Sequence, residues 1–281
     1  MPRATIADVE LYFELHGEGK IDTQQASGAA GADTVAFING IAMTVQSWQP
    51  VRERFVDHGF RCLLHDCRGQ LRSGKSLHRP FSLQLHAADF LALIDGLSID
   101  RVHLVGTSYG AEIGILFAAA YPERTATLTL IACASELDSL MRAAAESWSI
   151  AADCGAVPLF RCMLPWAYSN HYLAQNRELL LAQEEAMSHQ PANYCAAFKQ
   201  LVEAFLQLDL SAELSRIQCP TLIIAAEQDL IKGPRIGRQI HNNIAGSEFC
   251  TLVGAGHAVV LEQPQQVAER TVQFIHRHCS C

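Results

Sequence analysis

The chain has 281 residues, a net charge of −8, 49% apolar residues and 18% charged ones. That balance belongs to a folded globular protein and excludes a disordered chain. With no basic stripe in an acidic chain it also argues against nucleic acid as a partner.

Ala4 to Leu15 alternates in the manner of paired strands, with a turn at Ala7-Asp8. Gly17 to Asp33 is rich in Gly, Ala, Ser and Gln and reads as an exposed, mobile loop. A regular rhythm then begins. Short apolar runs at Val35–Ile38, Arg61–Asp66, Val102–Val105 and Thr127–Ile131 predict buried strands. Between them, Phe81–Leu97 carries helical spacing with Ser82 as N-cap, and Ala111–Tyr121 is an apolar helix ended by Pro122. Thr221–Ala226 and Phe249–Val253 continue the strand series, and Pro264–His278 closes it with a helix whose apolar face holds Val267, Val272 and Ile275. Strands alternating with helices predict an α/β fold, a mostly parallel, doubly wound sheet covered on both faces.

The rhythm breaks between Ser135 and Gln218, where Leu140–Ile150, Arg177–Ser188 and Tyr194–Leu208 predict helices. The expected organisation is a core of residues 1–134 and 219–281 with a helical cap at 135–218. The cap's Trp148, Phe160, Trp166, Tyr168, Phe198 and Phe205 are candidates to line a substrate cavity, with Trp148 and Trp166 the largest; ordinary packing is the competing account of each.

No apolar run is long enough to cross a bilayer, the longest being Ile113–Tyr121. The first residues lack a signal-peptide core, so a cytoplasmic protein without membrane attachment is expected. The ten cysteines are scattered and, in that compartment, predict no disulfide framework. The tail His276 to Cys281 reads as a basic terminus rather than a metal site.

Gly106-Thr107-Ser108-Tyr109-Gly110 follows a strand and precedes a helix, which is the setting a G-x-S-x-G nucleophile turn requires. The glycines keep side chains off a tight turn, and the Tyr109 N–H falls at a helix start, where it can meet an oxyanion. A serine needs a base. His257, in Gly254-Ala255-Gly256-His257 after the last strand, is the candidate; His65 and His103 lie in strands and read as structural. Asp229 ends the loop after the Thr221–Ala226 strand and is the candidate acid, with Glu227, Glu136 and Asp138 as competitors. A second oxyanion donor falls to the Ile41 N–H after Asn39-Gly40.

These pieces resemble the lid-bearing α/β-hydrolase superfamily, closest to bacterial esterases, enol-lactonases and cofactor-free haloperoxidase-like enzymes. The resemblance runs through Phe37-Ile38-Asn39-Gly40 with Trp48, Asp66-Cys67-Arg68-Gly69, the turn at Ser108, Tyr121-Pro122-Glu123-Arg124, Pro220 to Ile224, Asp229, and Gly256-His257 with Leu261-Glu262-Gln263-Pro264. It implies an acyl-enzyme mechanism acting on an ester-type bond of a small, apolar substrate, without cofactor or metal. A thioesterase, a lactonase, a perhydrolase or a ligand receptor on the same fold are the alternatives, and a homodimer is compatible with the sequence. Three positions depart from the family's pattern. Asn39 replaces a usual His, Gly69-Gln70-Leu71-Arg72-Ser73 replaces Gly-His-Gly-x-Ser, and Ala111 replaces a second Gly after the turn.

Overall fold

The computed structural model describes residues 2–18 and 34–279. Most of the loop expected at Gly17–Asp33, and the last two residues of the tail, lie outside them.

Among the described residues, eight strands form one sheet: β1 (Arg3–Ile6), β2 (Val9–His16), β3 (Thr34–Ile38), β4 (Arg61–His65), β5 (Val102–Thr107), β6 (Thr125–Ile131), β7 (Thr221–Ala226) and β8 (Glu248–Leu252). Their order is β1-β2-β4-β3-β5-β6-β7-β8. The first two strands run antiparallel, turning at Ala7, and β3 to β8 pair in parallel. Strands β3, β5 and β7 are buried along their whole length, as their mainly apolar runs require, with His103 of β5 paired to Thr127 at 3.0 Å.

The helices are α1 (Gln49–Asp57), α2 (Leu83–Gly96), α3 (Tyr109–Ala120), α4 (Ser139–Asp153), α5 (Ala156–Ala167), α6 (Asn170–Gln175), α7 (Arg177–Met187), α8 (Tyr194–Phe205), α9 (Pro234–Asn243), α10 (Val259–Glu262) and α11 (Pro264–Cys279). One sheet face is covered by α2, α3 and α9, the other by α1 and α11. Val51 and Phe55 of α1 meet Val267 and Ile275 of α11 in one buried cluster. Each such side chain contributes ~1.5–3 kcal/mol by leaving water. Ser82 caps α2, accepting the Leu85 N–H at 3.1 Å.

Strands β6 and β7 are neighbours, so residues 135–218 leave and rejoin the sheet at one place. The two legs are joined by a bridge between Glu136 and Asp209 and by the Leu210 N–H donating to the Ser135 carbonyl at 2.6 Å. Met141 and Trp148 of α4 and Phe198 and Phe205 of α8 belong to the same buried cluster as α2 and α3. Helices α5 and α6 have no counterpart in the sequence reading, because Pro158 and Pro165 interrupt the helical pattern of α5 and α6 is only six residues long. Pro158 falls in the first turn of α5, where its missing N–H would have no helical partner, whereas Pro165 lies inside the helix near its end. The helix after Ser108 starts at Tyr109 rather than Ala111. The cysteines from Cys62 to Cys250 are free thiols. No helix of the described residues is long and apolar enough to cross a membrane.

Candidate active site

Strand β5 ends at Thr107 and α3 begins at Tyr109, so Ser108 alone makes the turn. Its backbone sits at φ 52° and ψ −119°, a setting that costs a side-chain-bearing residue ~1–3 kcal/mol. The surroundings hold it there. The Ser108 N–H donates to the Ile131 carbonyl of β6 at 2.8 Å. A Cβ on Gly106 would lie 2.4 Å from the Gly110 carbonyl oxygen, and one on Gly110 would lie 2.2 Å from that of Ile38. Only glycine lets β5, α3 and the end of β3 close this tightly.

Ser108 Oγ and His257 Nε2 are 2.9 Å apart, and His257 Nδ1 is 2.7 Å from Asp229 Oδ2. An ionised carboxylate only accepts, so Nδ1 carries the proton and Nε2 is left to accept from the serine. Asp229 Oδ1 accepts the N–H groups of Ile231 at 2.8 Å and Lys232 at 2.9 Å. Burial alone would raise this carboxyl. The charge and hydrogen bond of His257, with the two backbone N–H groups, outweigh it and hold Asp229 below the usual carboxylate range. The competing acids lie elsewhere. Glu227 accepts the Gly254 N–H at 2.9 Å, Glu136 accepts from Gln239 at 2.7 Å, and Asp138 caps α4 through the Met141 N–H at 2.9 Å.

The Asn39 departure is absorbed by a buried network. Asn39 Nδ2 donates to Asp66 at 3.2 Å and to Gln70 at 3.0 Å, while Trp48 Nε1 donates to Asn39 Oδ1 at 2.9 Å. Gln70 Nε2 in turn donates to the Gly40 carbonyl at 2.8 Å. The two amides Asn39 and Gln70 thus tie down the turn that precedes Ile41. That turn abuts Ser108 because Ile38 pairs with Gly106 across β3 and β5. Both Ile41 and Tyr109 stand at turn or helix starts, where N–H groups lie outside any helical ladder.

The model of the alpha/beta hydrolase family matches residues 35–270. The chain belongs to that family. A curated relative from Caulobacter sp. (strain K31), named "Putative carbamate hydrolase RutD", is 25% identical over 94% of this chain and 95% of its own. Among solved structures, the alpha/beta hydrolase MGS-M2, from a Medee basin deep-sea metagenome library, superposes with a TM-score of 0.88 at 22% identity, covering 98% of this chain and 97% of that one. The enol-lactonase from Burkholderia xenovorans LB400 does so at 0.85 and 24%, covering 98% and 100%. At these identities the structural likeness concerns the fold.

In this alpha/beta hydrolase a cavity of about 390 Å³ opens over Ser108 and His257. Ile41, Tyr109, Trp148 and Trp166 line it, as do Phe160, Tyr168 and Phe205, whereas Phe198 does not and packs instead in the buried cluster with α2 and α3. Among the described residues no group of three His, Cys, Asp or Glu side chains is arranged to hold a metal. Sequence reasoning missed a second buried pair. Lys232 Nζ donates to Ser108 Oγ at 3.2 Å and pairs with Glu112. Burial pushes the Glu112 carboxyl up, against the opposing pull of the Lys232 charge. The signal was present at Glu112, one charge inside an otherwise apolar helix and one turn beyond the serine. Lys232 carried none, because lysines in loops are ordinarily solvated.

Proposed function

We propose that this protein is a serine hydrolase that cleaves a carboxylic ester-type bond of a small, apolar substrate through an acyl-enzyme. The observation that carries this reading is the unbroken chain from Ser108 Oγ through His257 to Asp229, at 2.9 and 2.7 Å. His257 Nε2 takes the Ser108 proton as Oγ attacks the carbonyl carbon. The resulting oxyanion is held by the N–H groups of Tyr109 and Ile41. The His257 imidazolium, steadied by Asp229, gives its proton to the leaving oxygen as that bond breaks. The neutral imidazole then takes a proton from water, whose oxygen attacks the acyl carbon, and returns that proton to Ser108 Oγ as the acyl–oxygen bond breaks. The scheme calls on no metal or cofactor.

In the same reading residues 135–218 form a cap that walls the cavity with apolar side chains and keeps water from the reacting carbonyl. The name carried by the curated relatives favours a second reading, attack on a carbamate carbonyl with nitrogen on its far side. A panel of short fluorogenic esters, thioesters, lactones and carbamates separates them, with Ser108→Ala as the blank. Ester turnover with a burst of product is the expected result. Carbamate turnover alone would favour the second reading, and binding without turnover would make the protein a receptor.

A further inference from the structure

We propose that Lys232 is a specificity-determining residue that binds a neutral oxygen carried on the acyl carbon next to the reacting carbonyl, as in 2-hydroxy and 2-oxo acyl esters. The inference rests on the ester reading above. The Lys232 and Glu112 side chains are 2% and 0% exposed, and the ammonium stands 4.6 Å over the centre of the Phe205 ring. Burying two ions costs several kcal/mol each before their attraction offsets it. The Ser108, His257 and Asp229 relay does not need this pair, because Asp229 is already satisfied by His257 and two backbone N–H groups.

Geometry assigns the pair a place in the reaction. Once Oγ is bonded to the carbonyl carbon, that carbon carries three other groups. The oxyanion faces the N–H groups at the start of α3. The leaving oxygen faces His257 Nε2, from which it takes its proton. The acyl chain is the third, and Lys232 is the remaining polar group at Oγ. An oxygen on the first acyl carbon lies three bonds from Oγ, within reach of an ammonium 3.2 Å from that atom. An ammonium has three N–H donors, and Lys232 has two acceptors among the described residues, Glu112 and Ser108. Lys232 lines the cavity, and in the proposed complex the substrate oxygen there accepts its third N–H.

Charge then selects the kind of oxygen. Lys232 and Glu112 neutralise each other, so a substrate carboxylate here would add a buried charge without a partner. A hydroxyl or carbonyl oxygen adds none. Trp148, Phe205 and Ile231 line the same space, and in such low-dielectric surroundings a hydrogen bond discriminates more strongly.

Ethyl lactate and ethyl isobutyrate differ by a hydroxyl in place of a methyl at that carbon, and monoethyl oxalate puts a carboxylate there. The kcat/KM ratio of lactate to isobutyrate is expected to fall about tenfold or more in Lys232→Met. It should fall likewise in the double variant Lys232→Met/Glu112→Gln, which leaves no lone buried carboxylate to unfold the protein. Glu112→Gln leaves the ammonium unbalanced, so oxalate should gain on lactate. A lactate-to-isobutyrate ratio unchanged in the folded variant overturns the inference and leaves the ester reading standing. Wild-type protein that reacts with a fluorophosphonate yet cleaves none of these esters overturns both.

Discussion

Glu262 grips Ser169: Oε1 accepts the Ser169 N–H at 2.8 Å and Oε2 accepts its hydroxyl at 2.6 Å. The same Oε1 accepts the N–H of Gly256 at 3.1 Å, the residue before His257. On the other side of His257, the Ala258 N–H donates to the Ala167 carbonyl at 2.7 Å. The loop that carries His257, the proposed base, is thereby clasped to the end of α5 and the start of α6. Glu262→Ala is expected to lower kcat about tenfold or more, with KM changed less, because a charge-assisted bond contributes ~1.5–3 kcal/mol and its loss frees the imidazole. Glu262→Gln keeps one acceptor and should lose less. A lower melting temperature with unchanged kcat would make the clasp structural only.

Ser108 is predicted to be the residue labelled by a fluorophosphonate, with label and turnover both absent in Ser108→Ala. Its backbone supplies an independent check. Glycine accepts φ 52° without the strain that serine bears there. Ser108→Gly should therefore be inactive and melt higher, by about 2–4 °C for each kcal/mol released. Labelling at another serine in the Ala variant would move the nucleophile.

Neutralising the acid should be nearly as damaging as losing the base. Asp229→Asn is expected to reduce turnover by about 10⁴-fold, the loss seen for the same change in a serine protease. Asp138→Asn and Glu136→Gln should stay within a few-fold of wild type, since Asp138 caps α4 and Glu136 meets Gln239. Kinetics that reverse this order would relocate the acid to the loop after β6.

Ser108, Asp229 and His257 were legible because each sits where a strand ends beside glycine or a turn residue, a local pattern. The strands were legible for the same reason: β3, β5 and β7 are short apolar runs buried on both faces. Helices α1 and α9 were not. Each shows few buried residues, Val51 and Phe55 in one and Gly237 and Ile240 in the other, too few to set a period. Lys232 was hidden because its partner Glu112 lies 120 positions away, and long-range pairing leaves no mark on neighbouring residues.

Acidification should destabilise the fold through two histidines. Burial pushes His65 down to about 4 and His86 down to about 3, the latter helped by the nearby Arg68 charge. Both nitrogens of His86 lack a hydrogen-bond partner among the described residues. The unfolded chain protonates both near the ordinary value of 6.5, whereas the folded chain stays neutral. Their stability contribution is complete above 6.5 and falls as the pH drops toward 4, by on the order of a few kcal/mol in total. Asp229, held low, adds its own loss only further down, as pH falls through its lowered value. Urea melts between pH 7.5 and 4.5 should show this slope, and His86→Phe should flatten it. A slope identical in the variant would assign the acid sensitivity elsewhere.

The cavity walls supply the last test. Trp148 is 5% exposed in α4 and Trp166 is half-buried in α5, and both line the space over Ser108. A wall of that size limits how long an acyl group can lie in the cavity. Trp166→Ala removes a bulky ring from the lining without opening the sheet core, so longer acyl chains should gain on acetate. Trp148→Ala removes packing as well, since its ring belongs to the buried cluster beneath. It should therefore cost the ~3–5 kcal/mol of stability typical of such truncations and lower the melting temperature accordingly, while also favouring longer chains. Comparing kcat/KM across acetate, butyrate and octanoate esters separates selection from packing. Selection reorders the three esters, whereas packing lowers them together. Parallel loss of all three with a lower melting temperature in both variants would leave the tryptophans as structural residues.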